Sequence, residues 1–532
     1  MRLILTLHLL VCFIAGGQYA NAGSTTPNVV FVLIDDLGWR DLGCYGSEFY
    51  DTPNIDQLAD QGTRFTDAYA CCHVCSPSRA AVLTGKYPAR LMLTDWLTGR
   101  REFAFQKLKN ARILQALPLS ETTLAEALKA RGYATAHFGK WHLGEDPAGP
   151  TAQGFDVQKP RHWFKGWPRA GYHAPFKFDD ISEESGDYLT DRLTDEAIEF
   201  IENHRDKPFF LYLSHFAVHD PIQGRRDLVE KYESRRDGLP EDVNPFVLEG
   251  NPDSSNPTSV TKRADLIQSE RYGGFRVLPR QMVKIKQRQD NPQFAAMVES
   301  VDESVGRVMD KLRSLGIDDH TIVIFTSDNG GMSAANFGRP SRIIRRDQLD
   351  AAYSTSNLPL RGAKGWLYEG GIRVPLIIKW PGQQTAGSVC REPVIGTDYY
   401  PTILEMIGAP AMPKQHADGQ SLVGVLRGET LDRALYWHFP HYSNHGMQSP
   451  GGAIRDGKHK LLEYFENGTV ELFDLDADPG ESRNLAGSNP ELAERMLRKL
   501  RAWRETVSAQ MMPANPAYDP NAGYDRPALP RD

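Results

Sequence analysis

The stretch CCHVCSPSRAAVLTGKYPAR, residues 71–90, places a reactive residue type at a predicted helix start. Pro77 suits the first turn of a helix, and the run after Arg79 has good helix propensity. Cys75 then lies at the helix N-terminus, where backbone N–H groups and the helix dipole favour negative charge. Arg79 follows one turn later and can contact the same anion through two N–H groups. The pattern suits a nucleophile attacking an oxyanion ester. A structural disulfide or a zinc ligand are the alternatives, although no second Cys/His pair has suitable zinc spacing.

Oxygen-bearing side chains follow two apolar runs, residues 28–34 and 321–327. They are Asp35 and Asp36 after the first run, and Asp328 and Asn329 after the second. In a parallel sheet the carboxyl ends of the strands meet at one edge, where ligands bind. Three carboxylates and an amide suit a hard divalent cation such as Ca²⁺ or Mg²⁺, which would offset their repulsion. A lone Asp-Asp pair would instead be read as a turn or helix cap.

Cationic or proton-handling residues follow two further runs. Lys140 and His142 come after residues 133–139, and His215 and His219 come after residues 209–214. His215 lies within or close to the strand end and is interpreted as a packing residue. His73 remains unassigned.

Strand-like and helix-like patterns alternate over some 400 residues. The apolar runs, which look like buried parallel strands, are 28–34, 133–139, 209–214, 321–327 and 374–380. Helical patterns ending in Gly lie between them. The sequence therefore predicts an α/β fold: a large, mostly parallel sheet flanked by helices, with a smaller C-terminal α+β domain that contains an antiparallel sheet.

The predicted organisation has four parts. Residues 1–22 are a secretory signal peptide, 23–430 the catalytic domain, 431–510 the C-terminal domain and 511–532 a loose tail. Residues 221–290 are polar and charged, which indicates an insertion of unassigned role.

The N-terminal segment and the overall charge limit the classes of function. An apolar run after Arg2 ends in an A-x-A site, which predicts cleavage near Ala22 and a secreted or periplasmic enzyme. The run is short for a membrane anchor, and no later segment suits a membrane span. The net charge of −7 gives no overall footprint for nucleic acid.

Several stretches together resemble the type I sulfatases of the alkaline-phosphatase superfamily. CSPSRAAVLTG matches their first signature and GKWHLG (139–144) their second. NVVFVLIDDLGW, TSDNGG and LRGAKGWLYEGGIRVPLIIKWPG resemble further family blocks in the usual order. ELFDLDADPGESRNLA (471–486) resembles the family's C-terminal domain. The resemblance covers most of residues 27–430.

The resemblance implies a role for each of these residues. Cys75 would be oxidised to formylglycine by a formylglycine-generating or anaerobic sulfatase-maturating enzyme, and one hydroxyl of the hydrated aldehyde would attack sulfur. This also explains an odd cysteine count after cleavage, and it leaves Cys44, Cys71, Cys72 and Cys390 with no assigned pairing.

The family match also implies a ligand set and proton-transfer partners. Asp35, Asp36, Cys75, Asp328 and Asn329 would hold Ca²⁺, with Mg²⁺ less favoured, and Arg79 would position residue 75. Lys140 and Lys364 would bind sulfate oxygens. His142 would take a proton from the second hydroxyl, and His219, with Lys364 as an alternative, would assist the leaving alcohol. No equivalent of a further polar active-site residue found in some sulfatases is assigned after GKWHLG.

The substrate is predicted to be a sulfated carbohydrate, with an aryl sulfate as the assay alternative. Aromatic and basic residues cluster at 161–176 and 436–442, which suits sugar stacking, although core packing explains the aromatic residues equally well. The candidates for substrate contact are Trp163, Trp167, His438 and His441.

Two other functions fit parts of the pattern. One is a phosphodiester or phosphonate monoester hydrolase of the same superfamily. The other is a silent glycan-binding protein, if Cys75 stays a thiol.

Overall fold

The computed structural model describes residues 26–239, 246–250, 282–336, 349–382, 386–445, 448–522 and 528–529. The predicted signal peptide and much of the predicted insertion, including residues 251–281, lie outside these ranges. The domain boundaries stay predictions.

The described strands are β1 Asn28–Ile34, β2 Thr63–Tyr69, β3 Ala134–Gly139, β4 Val157–Lys159, β5 Phe209–Ser214, β6 Phe246–Gly250, β7 Met282–Lys286, β8 Thr321–Ser327, β9 Arg373–Lys379, β10 Ser388–Cys390, β11 Val394–Ile395, β12 Ala434–Phe439, β13 Gly451–Asp456, β14 His459–Tyr464 and β15 Val470–Asp474. The described helices are α1 Pro53–Gln61, α2 Cys75–Thr84, α3 Pro88–Leu91, α4 Leu124–Lys129, α5 Leu189–Asn203, α6 Arg226–Asp237, α7 Pro292–Ser314, α8 Leu349–Ala352, α9 Glu369–Ile372, α10 Tyr399–Met406, α11 Val423–Leu426 and α12 Pro490–Thr506.

The large sheet has nine strands within the described ranges. Eight lie in the order β10-β2-β9-β8-β1-β5-β3-β4, and β11 pairs with β2. β1 is parallel to both β5 and β8, and β3 is parallel to β4 and β5. The predicted fold class, a mostly parallel sheet flanked by helices, is confirmed.

One strand runs against its prediction. The run at 374–380 reads as a parallel strand, but β9 is antiparallel to both β8 and β2. A strand buried on both faces has a continuous apolar sequence in either direction, so its composition did not reveal the direction.

The apolar runs arise because helices cover both faces of the sheet. Val30 and Val32 of β1 belong to one hydrophobic layer, together with residues of α5 and α7. Val29 and Phe31 point into the opposite layer, together with residues of α4 and α10. Every side chain of β1 is therefore buried on one face or the other, which leaves the carboxyl ends of the strands as the place for polar groups.

A second, antiparallel sheet has the order β12-β13-β14-β15, and α12 packs against it. Gly457 and Gly468, in the turns of this sheet, have positive φ angles of 59° and 73°, a conformation that favours glycine. The segment predicted to be a loose tail forms backbone hydrogen bonds in its described part. Lys109 N–H donates to Pro513 O, and Asn515 N–H donates to Lys107 O.

The described cysteines Cys44, Cys71, Cys72, Cys75 and Cys390 are all free. Every helix in the described part of the chain is too short or too polar to cross a membrane.

Candidate active site

The carboxyl ends of β1 and β8 bring the predicted oxygen donors together. Ile34 and Ser327 are register partners at the ends of these parallel strands. Beyond them, Asp36 N–H donates to Asp328 Oδ1 (3.2 Å), and Asn329 Nδ2 donates to Asp36 Oδ1 (2.8 Å). All of these side chains are buried.

Cys75 joins the same cluster from helix α2, which begins at this residue. Ligand atoms of Asp35, Cys75 and Asp328 lie within 4.8 Å of one another, as do those of Asp35, Asp36 and His219. Asp35 belongs to both groups, so residue 75, the carboxylates and His219 form one connected cluster at the edge of the sheet.

Three buried cations offset the carboxylates. Arg79 Nε donates to Asp328 Oδ2 at 2.8 Å, and its Nη1 donates to Lys140 O at 2.9 Å. Lys140 Nζ lies 2.5 Å from Asp35 Oδ2. Lys364 Nζ lies 2.6 Å from Asp36 Oδ1.

The oxygen donors fit a hard cation. Asp35 Oδ1 and Asn329 Oδ1 are buried without a hydrogen-bond partner. Burial raises the pKa of Asp35 well above its ordinary value, and the nearby Asp328 carboxylate raises it further. For Asp36, burial acts in the same direction, but the neighbouring cations, led by Lys364, together outweigh it and lower the pKa. Unpartnered carboxylate and amide oxygens in a buried cluster suit Ca²⁺ or Mg²⁺.

His142 is the nearest proton-handling group to residue 75. Its Nδ1 lies 3.3 Å from Cys75 Sγ, and its Nε2 lies 2.8 Å from Leu97 O. A carbonyl can only accept, so Nε2 carries the proton and the neutral ring presents Nδ1 to residue 75 as an acceptor. Burial lowers the pKa of His142 well below its usual value, and Lys140 lowers it further, which favours this neutral form.

His219 has the opposite character. Its Nδ1 lies 2.8 Å from Asp220 Oδ1, and its Nε2 lies 3.8 Å from Asp36 Oδ2. Burial and Lys364 lower its pKa, but the surrounding carboxylates prevail and raise it to about 9. At neutral pH His219 is therefore protonated and able to donate a proton.

These groups lie at the base of a cleft of about 450 Å³. Of the predicted residues, Cys75, His142, Trp167, His219 and Lys364 line it. The other predicted chemical residues, Asp35, Asp36, Arg79, Lys140, Asp328 and Asn329, are buried around this base.

Sequence reasoning missed several residues of the cleft wall, among them Trp96, Asn336, Asn444 and His445. They come from loops distant in the chain, and no motif marks them. His445 is only 5% exposed, and neither of its ring nitrogens has a hydrogen-bond partner.

Three predicted substrate contacts do not line this cleft. The indole N–H of Trp163 donates to Trp167 O at 2.6 Å. His438 Nε2 lies 2.8 Å from Gln510 O, and His441 Nε2 lies 2.8 Å from Thr94 Oγ1. Each of these side chains has a polar partner within the protein, and its role in substrate contact stays a prediction.

The two other histidines noted in the sequence, His215 and His73, also contact residues inside the protein. His215 is buried, with Nε2 2.9 Å from Ser304 Oγ, as its interpretation as a packing residue implies. His73 packs against the ring of Phe439, with ring centroids 4.1 Å apart.

Comparison with known proteins agrees with this geometry. The sulfatase family model matches residues 27–409, and the model for the N-sulphoglucosamine sulphohydrolase C-terminal region matches residues 363–506. A sulfatase from Formosa agariphila is 31% identical, over 94% of this chain and 93% of that protein. Human arylsulfatase A is 32% identical, over 91% of this chain and 88% of that protein.

Among solved structures, Ps i-CgsB in complex with k-i-k-neocarrahexaose is 27% identical, with a TM-score of 0.65 over 90% of this chain and 93% of that chain. The chain belongs to the formylglycine-dependent type I sulfatase family of the alkaline-phosphatase superfamily, and it is a sulfuric ester hydrolase.

Proposed function

We propose that this sulfatase is exported, that Cys75 is converted to formylglycine, and that the enzyme removes sulfate from a carbohydrate with the aid of bound Ca²⁺. The observation that carries the proposal is the position of Cys75. Its side chain lies at the base of the cleft, 3.3 Å from His142 Nδ1 and within 4.8 Å of ligand oxygens of Asp35 and Asp328.

The Ca²⁺ ion would be held by four residues of one buried cluster, in which two side-chain oxygens lack hydrogen-bond partners: Asp35, Asp36, Asp328 and Asn329. Bound there, the cation would neutralise sulfate oxygens and lower the pKa of a hydroxyl on residue 75. Arg79 donates to Asp328 and Lys140 pairs with Asp35, and these contacts would hold the two carboxylates in place around it.

The chain's own groups then divide the proton transfers. A hydroxyl of the proposed hydrated aldehyde at residue 75 would be the nucleophile, and Asp328 would accept its proton. His142, whose Nδ1 lies 3.3 Å from Sγ of residue 75, would take the proton of the second hydroxyl, which would let sulfate leave.

On the opposite side of the cleft, Lys364 would contact sulfate oxygens, and His219 would protonate the departing alcohol oxygen. The pKa of His219, raised to about 9, keeps that proton available at neutral pH.

The cleft walls support a carbohydrate substrate. Trp167 is 43% exposed and lines the cleft with Trp96, so two indoles are available for a sugar ring. A similar solved structure carries neocarrahexaose. The basic residues at 161–176 do not line this cleft. Lys165 pairs with Glu145, and Arg169 donates to Lys177 O.

The first test is the chemical state of residue 75. The tryptic peptide 65–79 of the purified enzyme should be about 18 Da lighter than its thiol form, because sulfur is replaced by an aldehyde oxygen. A peptide of thiol mass from an active enzyme would contradict the proposal. The same mass from an inactive enzyme would favour a glycan-binding protein.

The second test is activity. Cys75→Ala should abolish sulfate release without loss of folding, and the matched variant Cys390→Ala should keep it, because Cys390 lies in β10, outside the cleft. Nitrophenyl sulfate and a nitrophenyl phosphate diester should be compared with sulfated mono- and oligosaccharides. Faster turnover of the phosphate diester would favour the phosphoester hydrolase alternative.

Export is tested separately. The full chain should reach the periplasm or medium and begin near residue 23. Retention of the uncleaved chain inside the cell would contradict the signal-peptide proposal.

A further inference from the structure

The imidazole of His142 is held by a series of contacts that begins at Ser76, passes through Leu97 and ends at residue 75. Leu97 N–H donates to Ser76 Oγ at 3.1 Å, and Leu97 O lies 2.8 Å from His142 Nε2. His142 Nδ1 then lies 3.3 Å from Sγ of Cys75, the residue before Ser76. Leu97 thus links helix α2 to the ring through both of its backbone polar groups.

Ser76 is completely buried. A buried hydroxyl is costly without a partner, and here it accepts from a loop 21 residues further along the chain. Its hydrogen bond fixes the position of the Leu97 carbonyl, and so it decides which ring nitrogen of His142 carries the proton.

Gly166 lies beside the His142 ring on the cleft side. A Cβ atom at this position would lie 2.5 Å from His142 Cε1 and 2.7 Å from Nδ1. Cε1 lies between the two ring nitrogens, so even one methyl group would push the ring away from both of its polar contacts. Gly166 has no positive φ angle, so its lack of a side chain serves space and not backbone conformation.

The backbone of His142 supports the same interpretation. Its φ angle is 55°, in the left-handed region that residues other than glycine seldom adopt. Such a conformation persists where surrounding contacts determine it, and it often occurs at functional sites.

We propose that Ser76 and Gly166 are positioning residues that hold the His142 imidazole with Nδ1 against residue 75. This inference rests on the proposed function for its kinetic consequence. Ser76 is buried, and Gly166 has no side chain that could take part in the reaction. Each acts through the orientation of one ring.

The test uses the full-length enzyme with Gly166→Ala and Ser76→Ala. Conversion of residue 75 is measured first by peptide mass, because Ser76 lies beside it, and rates are expressed per converted chain. Gly487→Ala and Ser300→Ala are the matched controls. A Cβ at Gly487 meets nothing within 4 Å, and the buried Ser300 hydroxyl bonds to Ala296 O of its own helix.

We expect Gly166→Ala and Ser76→Ala to lower kcat about 10- to 100-fold and to change KM less than about threefold, because proton transfer and not binding is impaired. The controls should keep wild-type values. In a His142→Gln background, Gly166→Ala should cause no further loss, since the ring through which it acts is absent.

A second readout is independent of turnover. In enzyme labelled with ¹⁵N-histidine, the His142 signals, identified by their absence in His142→Gln, should report a proton on Nε2. Gly166→Ala and Ser76→Ala should shift them. Unchanged kcat at full conversion would overturn the proposal. So would a fall in kcat with unchanged His142 signals, or an additive loss in the His142→Gln background.

These outcomes are separate from failure of the proposed function. If the wild-type chain keeps a thiol at residue 75 or releases no sulfate, the proposed function fails. The ring signals of the same protein still decide whether Ser76 and Gly166 hold His142.

Discussion

Replacing Arg79 with methionine should destabilise the fold far more than loss of an ordinary surface arginine. Arg79 is 1% exposed, and its guanidinium donates to Asp328 Oδ2, Lys140 O and Ser214 Oγ. Methionine would leave Asp328 as a buried carboxylate without its cation. Removing one partner of a buried, hydrogen-bonded ion pair costs about 3–5 kcal/mol, so we expect a loss of that size in unfolding free energy.

The assay is equilibrium urea unfolding in EDTA, and the matched control is Arg498→Met. Arg498 pairs with Glu494 one helical turn away, with side-chain exposures of 64% and 71%. Exposed pairs contribute about 0–1 kcal/mol, so the control should stay close to the wild type.

Calcium provides an internal check, because a bound cation would supply part of the charge that Arg79→Met removes. The difference between the variant and the wild type should therefore shrink in saturating Ca²⁺. Equal losses for Arg79→Met and Arg498→Met would refute the reasoning. The conservative Arg79→Lys keeps a charge and should lose less, which keeps the test decisive if the methionine variant does not fold.

Three further predictions follow from other parts of the structure. Burial raises the pKa of Glu481 to about 7; Lys460 lowers this pKa, and the Glu369 carboxylate raises it. The neutral form of Glu481 is therefore favoured in the folded state. The stability that Glu481 contributes should be fully present below about pH 4.5 and lost as the pH rises through 7. Glu481→Gln should flatten that part of a plot of urea midpoint against pH, and an unchanged slope would contradict this prediction. Burial raises the pKa of the Cys71 and Cys72 thiols, so iodoacetamide at pH 8 should label them only in urea, as read by peptide mass, and labelling in the native enzyme would argue against their burial. Ca²⁺ at 100 times its Kd should stabilise the EDTA-treated enzyme by about 2.7 kcal/mol in the same urea assay, and no gain would count against the metal site.

The sequence revealed the base of the site because parallel strands obey a simple rule. Side chains after β1 and β8 had to meet, since neighbouring parallel strands end at the same edge of a sheet. The helix start at Cys75 was also readable, because Pro77 and the Ala-rich run mark it locally.

The residues that form the walls of the cleft could not be predicted from the sequence in the same way. Trp96 and His445 come from loops whose approach depends on tertiary packing, and their sequence neighbours carry no periodic signal. Lys165 shows the opposite error. It lies in the aromatic and basic cluster at 161–176 that suited a sugar substrate, but its ammonium pairs with Glu145. Local composition gives the type of side chain, while only the fold decides which partner it reaches.

The strand β2 was missed for a related reason. Its sequence, TRFTDAY, mixes charged and apolar residues, and its register with β9 is irregular between Phe65 and Ala68. A bulged strand does not keep a strict two-residue period, so alternation fails as a signal.

Helix α2 is buried at every position from Cys75 to Thr84. A catalyst that had to grip the residues on both sides of Cys75 would find none of this helix exposed in the folded protein. The proposed conversion of Cys75 would therefore have to occur while the chain is still open, during synthesis or translocation. A chain that folds before conversion would keep the thiol of Cys75 for as long as it stays folded, and it could be converted only after unfolding.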